Sequence, residues 1–178
     1  MSRVLVLCGS ERKNGNTDLL VQAFFEAAAK KHEVEVISVA DVRVTFCTGC
    51  NACQVRVDHS CVQEDDMTLI YEKLMKAEIV IIASPVYFYG INARLKAIVD
   101  RLHTPMRERF AVKKLGLILV GAAVLPHLFD PILLQYQMIL DFFHLEDAGK
   151  VLVRGVRDKG DVRDTDAPSL AYALGLSI

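Results

Sequence analysis

Short apolar runs recur along the chain with helix-spaced segments between them, and this alternation constrains the fold more than any other feature. Arg3–Cys8, Glu33–Val39, Glu78–Ala83, Lys114–Val120 and Val151–Val156 read as strands. The third is a continuous Ile/Val run, as expected of a strand buried on both faces of a parallel sheet. Between the strands, Asn16–Lys31, Asp65–Lys76, Ile91–His103 and Pro131–His144 carry apolar residues at helical spacing. The second of these opens with an acidic first turn, which suits a helix dipole. Pro168–Leu176 adds a last helical turn or two. Strands alternating with helices imply parallel pairing through right-handed crossovers. Five of them suit a doubly wound α/β sheet in the order 2-1-3-4-5, with a ligand at the carboxyl ends of the first and third strands. The length of 178 residues makes one domain the default. No repeat, linker or low-complexity tract divides it, so residues 1–178 read as a single domain with a cysteine-rich insertion at about 45–63.

A formal net charge of −1 leaves no basic footprint for nucleic acid or an anionic membrane. The longest wholly apolar run, Leu115 to Leu125, is too short to cross a bilayer and stops at Pro126. Ser2-Arg3 opens straight into a strand with no signal peptide, and a cytoplasmic protein is expected. Hydrophobic residues make up 52% of the chain and charged ones 24%, a balance that leans towards a buried subunit interface. Five cysteines in such a protein point to metal binding or redox chemistry before structural disulfides.

Two polar interruptions fall at the ends of the first and third strands. Cys8-Gly9-Ser10-Glu11-Arg12-Lys13-Asn14-Gly15-Asn16-Thr17 joins a strand to a helix. Backbone N–H groups and the positive helix end, roughly half a charge, converge in such a loop. Arg12 adds a fixed cationic fork suited to phosphate. The same residues also suit a plain strand-to-helix turn with an Asn-Gly bend and a polar helix cap. A Walker loop would need Lys after Gly15, where Asn16 stands, and a dinucleotide fingerprint would need Gly at Glu11. A phosphatase Cys-x5-Arg loop would need arginine at Asn14, which leaves Cys8 as a small apolar residue at a strand end. The second interruption is Ser84-Pro85-Val86-Tyr87-Phe88-Tyr89-Gly90. Pro85 biases Ser84 towards an extended conformation and is expected to stop the strand. The aromatic residues after it suit either the walls of a planar ligand or a core or interface cluster.

The Gly-Ser-x-Arg-x-x-x-x-Thr arrangement resembles the phosphate loop of the FMN-binding flavodoxin superfamily, in its NADPH-dependent FMN reductase and iron-sulfur flavoprotein branches. Ser-Pro-Val-Tyr-Phe followed by Ala93-Arg94-Leu95-Lys96-x-x-x-Asp100-Arg101 resembles the flavin-ring loop and following helix of the same superfamily. The resemblance runs from Val4 to about Leu102. It implies a flavodoxin-like fold and FMN, with Ser10, Arg12, Asn14, Asn16 and Thr17 at the phosphate and Pro85, Val86, Tyr87, Phe88 and Tyr89 bounding the ring. After the fourth strand, where relatives often carry Gly-Gly, this chain has Gly121-Ala122-Ala123, with a lone His127 that suits a surface position.

Cys47-x2-Cys50-x2-Cys53-x7-Cys61 lies in the connection after the second strand, with Gly49 allowing a tight turn. The spacing suits a 4Fe–4S cluster, whereas zinc sites more often split into two distant Cys-x2-Cys pairs. A Cys47–Cys50 or Cys50–Cys53 redox disulfide stays open. The spacing also resembles the compact motif of the iron-sulfur flavoproteins. The resemblance implies an FMN-dependent oxidoreductase that forms homodimers or homotetramers. Its electron source would be ferredoxin or another carrier in a cluster-bearing protein, or NADPH in a plain FMN or quinone reductase. A non-enzymatic redox sensor is the alternative from another class, and no protein acid or base is required.

Overall fold

The computed structural model describes all 178 residues. Its five long strands are β1 (Arg3–Cys8), β2 (Glu33–Ser38), β3 (Ile79–Tyr87), β5 (Lys114–Val120) and β6 (Glu146–Val153), with a two-residue β4 (Gly90–Ile91) between β3 and β5. The long strands are all parallel, in the order β2-β1-β3-β5-β6. Leaving out β4, this is the 2-1-3-4-5 order expected from the pattern. The helices are α1 (Asn16–Ala28), α2 (Ala52–Val55), α3 (Met67–Leu74), α4 (Ala93–Asp100), α5 (Asp130–Phe143) and α6 (Ala167–Ser177).

Strand alternation splits the core into two layers. Leu5, Leu7, Val80, Ile82, Leu117 and Leu119 pack with α3, α4 and α5 residues such as Ile70, Leu95 and Ile132. Val4, Val6, Cys8, Ile79, Ile81 and Ile118 face the other way, onto Leu20, Phe24, Ala171 and Leu174 of α1 and α6. The α1–α6 contact is close: a Cβ on Gly175 would sit 2.5 Å from the Phe24 carbonyl oxygen. That packing makes the C-terminal segment an eleven-residue helix, longer than the turn or two its composition suggests.

Four boundaries differ from the sequence pattern. Pro85 does not end its strand, since β3 continues to Tyr87 with Pro85 opposite Val120. β1 stops at Cys8, opposite Ala83, so beyond that point β3 is paired on one side only and tolerates a residue without an N–H. The following helix then starts at Ala93 because Gly90 and Ile91 turn back to pair with Tyr87 and Val86, and Asn92 caps the helix. The last strand begins five residues earlier than its apolar run. Glu146–Lys150 lie on a sheet edge paired only to β5, where polar residues stay solvated. Asp65 and Asp66 precede α3 and do not form its first turn. No helix is long and apolar enough to cross a membrane.

Candidate functional site

The β1–α1 loop is held by bonds from its own backbone N–H groups to acceptors within the loop and the first turn of α1. The Gly15 N–H donates to the Arg12 carbonyl at 2.8 Å, the Arg12 N–H to Ser10 Oγ at 3.3 Å, and the Asn14 N–H to Asp18 Oδ2 at 2.6 Å. Asn14 takes the left-handed conformation (φ 55°). A Cβ on Gly15 would approach the Arg12 carbonyl oxygen to 2.9 Å, so the turn is shut to any other residue. Gly15 is also the N-cap of α1, and no side chain caps that helix. The first-turn N–H groups, which have no intrahelical acceptor, are thus left for something outside the helix. The Asn16 side chain is spoken for elsewhere. Its Nδ2 donates to the Asp158 carbonyl at 2.9 Å, and its Oδ1 accepts from the Gly160 N–H at 2.9 Å and the Val162 N–H at 3.3 Å.

At the end of β3, Ser84 is fully buried, its Oγ donating to the Pro85 carbonyl at 2.8 Å and accepting from the Asn92 N–H at 2.9 Å. Asn92 Oδ1 in turn accepts from the Arg94 and Leu95 N–H groups. This chain of bonds fixes the β3–β4 hairpin to the start of α4. The hairpin tip is Phe88 and Tyr89, with φ of 47° and 65°. Both adopt a backbone that glycine or asparagine usually takes in such turns, and Phe88 is 97% exposed.

A cavity of about 240 Å³ lies between the two loops. It is lined by Ser10, Arg12, Gly15, Asn16 and Thr17 on one side and by Pro85, Val86 and Tyr87 on the other. Val120, Ala122, Val156 and Arg157 complete it. Asn14 borders a separate polar cavity beside Lys13, Asp18 and Asp41, and Phe88 and Tyr89 line neither. Cys8 is buried behind the loop, and burial pushes its thiol up to about 11, so it stays protonated at neutral pH. His127 is exposed and bonded to Asp130 Oδ2 at 2.7 Å at the start of α5.

The cysteine-bearing segment is pinned at its base and open at its tip. Asp65 accepts the Thr45 N–H at 2.9 Å and forms a buried ion pair with Arg101 at 2.5 Å. Arg101 Nη1 also donates to the Thr45 carbonyl, while its Nε is buried with no partner. Burial pushes the Asp65 carboxyl up, but the Arg101 guanidinium and the Thr45 bonds outweigh it and hold the group below its ordinary value. Beyond this anchor, Cys47 and Cys50 are exposed and Cys53 and Cys61 half-buried, all four free thiols. Bonds from the Ala52 N–H and the Thr48 hydroxyl hold the Cys50 thiol below its ordinary value. His59 Nδ1 bonds the Cys53 carbonyl at 3.0 Å. No three His, Cys, Asp or Glu side chains are placed to share one metal ion.

A family model described as NADPH-dependent FMN reductase matches residues 2–146. The chain belongs to that family. An iron-sulfur flavoprotein of Methanocaldococcus jannaschii is 39% identical over 124 residues, 68% of this chain and 63% of that one. The chain thus spans less than two thirds of the length of the curated iron-sulfur flavoproteins it first matches. A Bacillus subtilis protein whose name assigns it provisionally to the NAD(P)H-dependent FMN-containing oxidoreductases is 26% identical over 97% of this chain and 96% of its own. The solved NAD(P)H:quinone oxidoreductase of Methanothermobacter marburgensis shares the fold at a TM-score of 0.77, with 98% of each chain covered and 16% identity.

The family's cofactor fits the residues present. The cavity joins an uncapped helix N-terminus, a glycine turn that a Cβ would fill, and an apolar wall from Pro85, Val86 and Tyr87. The four thiols fit a 4Fe–4S cluster in kind and number, and their present spread means that loading would have to draw residues 47–61 together. The loop carrying Ala122 was noted from the sequence, but Arg157 was passed over. The signal available was topological, since it follows the last sheet strand at the carboxyl edge, where such folds place ligands.

Proposed function

We propose that this protein is an FMN-dependent oxidoreductase that takes electrons from a low-potential donor and passes them to an acceptor. The supporting observation is the shared cavity, in which the phosphate-type loop and the Pro85–Tyr87 wall face one another across about 240 Å³. FMN, when bound, supplies the exchange between two-electron and one-electron partners. The chain's part is to bind and orient. Ser10, Arg12, Thr17 and the free N–H groups of the first turn of α1 hold the phosphate, with Asn16 contributing its backbone. Pro85, Val86 and Tyr87 exclude water from one side of the ring, and Phe88 and Tyr89 extend that wall outward. The finer reading assigns Cys47, Cys50, Cys53 and Cys61 to a 4Fe–4S cluster, supported by their spacing and by the names of the iron-sulfur relatives. The donor is ferredoxin or another carrier if the cluster is present, and NADPH otherwise. The protein works as a homodimer or homotetramer.

A second reading, a plain NAD(P)H-dependent FMN or quinone reductase, is favoured by the near-full-length Bacillus subtilis relative. The deciding experiment is anaerobic purification, with FMN, iron and acid-labile sulfide assayed on one sample and NADPH oxidation followed with an added acceptor. FMN with about four irons and four sulfides per chain supports the cluster reading. FMN with NADPH turnover and no iron, even after anaerobic reconstitution, selects the plain reductase. No FMN uptake at all overturns both.

A further inference from the structure

We infer that Arg157, carried by a loop outside the family match, is a second cation for the phosphate monoester held in this cavity, and that Asn16 is the residue that positions it. The inference rests on the FMN reading above. Twelve residues line the cavity, and among them Arg12 and Arg157 are the charged ones, with no carboxylate. Neither guanidinium is engaged in an ion pair. A phosphate monoester carries about −1.5 to −2 charges at neutral pH, so two unpaired arginines match it more closely than one. The cavity on the other side of the same loop is lined by Glu11, Asp18 and Asp41 as well as by Arg12 and Lys13. An anion is therefore favoured on the Arg157 side.

Arg157 is placed by a built turn. Val156 and Val162 anchor the two ends of the segment in the α1–α6 core layer. Asp161 Oδ2 accepts the N–H groups of Arg157 and Asp158 at 2.9 and 2.7 Å. The three Asn16 bonds to Asp158, Gly160 and Val162 then tie the whole turn to the first residue of α1. Asn16 thus contributes its backbone N–H to the anion site and its side chain to the loop that brings the second arginine. The family match ends at residue 146, so this contribution belongs to the C-terminal part of the chain.

The test compares dissociation constants for FMN and riboflavin, which differ by the phosphate alone, in the wild-type protein and in Arg157→Gln, Arg157→Lys and Asn16→Ala. Arg157→Gln should weaken FMN roughly tenfold to a hundredfold, the size of one charge-assisted hydrogen bond, and leave riboflavin unmoved. Arg157→Lys should recover part of the loss, and Asn16→Ala should lower the FMN-to-riboflavin preference in the same sense. A wild-type protein that prefers FMN, with an unchanged preference in Arg157→Gln, would overturn the assignment while sparing the FMN reading. An unchanged flavin preference with a raised KM for NADPH relative to NADH would overturn it in favour of a nicotinamide phosphate. No FMN binding by the wild-type protein would remove the reading and this inference together.

Discussion

The β1–α1 loop and the cysteine segment both leave the carboxyl edge of the sheet, after β1 and after β2, yet they are built in opposite ways. The first is closed on itself by bonds from the Arg12, Asn14 and Gly15 N–H groups to Ser10 Oγ, Asp18 Oδ2 and the Arg12 carbonyl, with no room for a Cβ at Gly15. The second is fixed at its root by Asp65, Asp66 and Arg101 and near its far end by a bond from Thr104 Oγ1 to the His59 carbonyl, and it carries Cys47 and Cys50 into solvent. A loop that binds through N–H groups can be finished by folding alone, because its donors are part of the turn. Four thiolates held close together repel one another and lose solvation unless a metal offsets the charge. The lesson is that the first loop is finished by folding, whereas the cysteine segment would need a ligand to bring its thiols together.

The largest effect should come from the root of the cysteine segment. Arg101→Ala leaves the Asp65 carboxylate buried and unpaired, and a loss of about 3–5 kcal/mol is expected for breaking such a pair, read by chemical denaturation. If the loss is below about 1 kcal/mol, the ion pair is not the anchor of that segment. On the preorganised side, Gly15→Ala should weaken FMN at least tenfold, equivalent to about 1.4 kcal/mol, with little change in iron content. Loss of both cofactors together would mean that the two regions are not independent. The converse experiment is serine at any of Cys47, Cys50, Cys53 or Cys61, which should abolish iron incorporation while FMN still binds within about twofold, measured by fluorescence quenching.

Acid should separate the regions too. Asp65 is held below its ordinary value, so its stabilising contribution is complete above the unfolded carboxylate value of about 3.9. It is lost as pH falls through the lower folded value. Hydrogen exchange in residues 45–66 should therefore rise below about pH 4 before it rises in the β1–α1 loop. A last effect, on stability more than on binding, is expected from Ser84→Ala. It removes a buried hydroxyl that bridges Pro85 and Asn92, at a cost of about 1–3 kcal/mol for the group left unpaired. Its loss should raise the FMN dissociation constant by loosening the hairpin. A stability loss with unaltered FMN binding would show that the hairpin's position does not depend on this bond.

Much of the architecture could be read from the chain. The five strands, their order and the placing of the two polar loops at neighbouring strand ends follow from hydrophobic period and from the handedness of crossovers, both properties of local chemistry. The spacing of the four cysteines and the polar loop from Ser10 to Thr17 likewise stand in the sequence whatever the fold does with them. Local pattern did not reveal how far β3 runs past Pro85, because that depends on where β1 ends beside it. It did not show that Asn16 turns its side chain to a loop 142 residues away. Nor did it show that Arg157 joins Arg12 at one cavity, or that Phe88 and Tyr89 stand outside it. Those outcomes were decided by tertiary structure. A side chain's partner is set by which distant segments the packed sheet and helices bring within about 3 Å, and no pattern of neighbours along the chain encodes that distance.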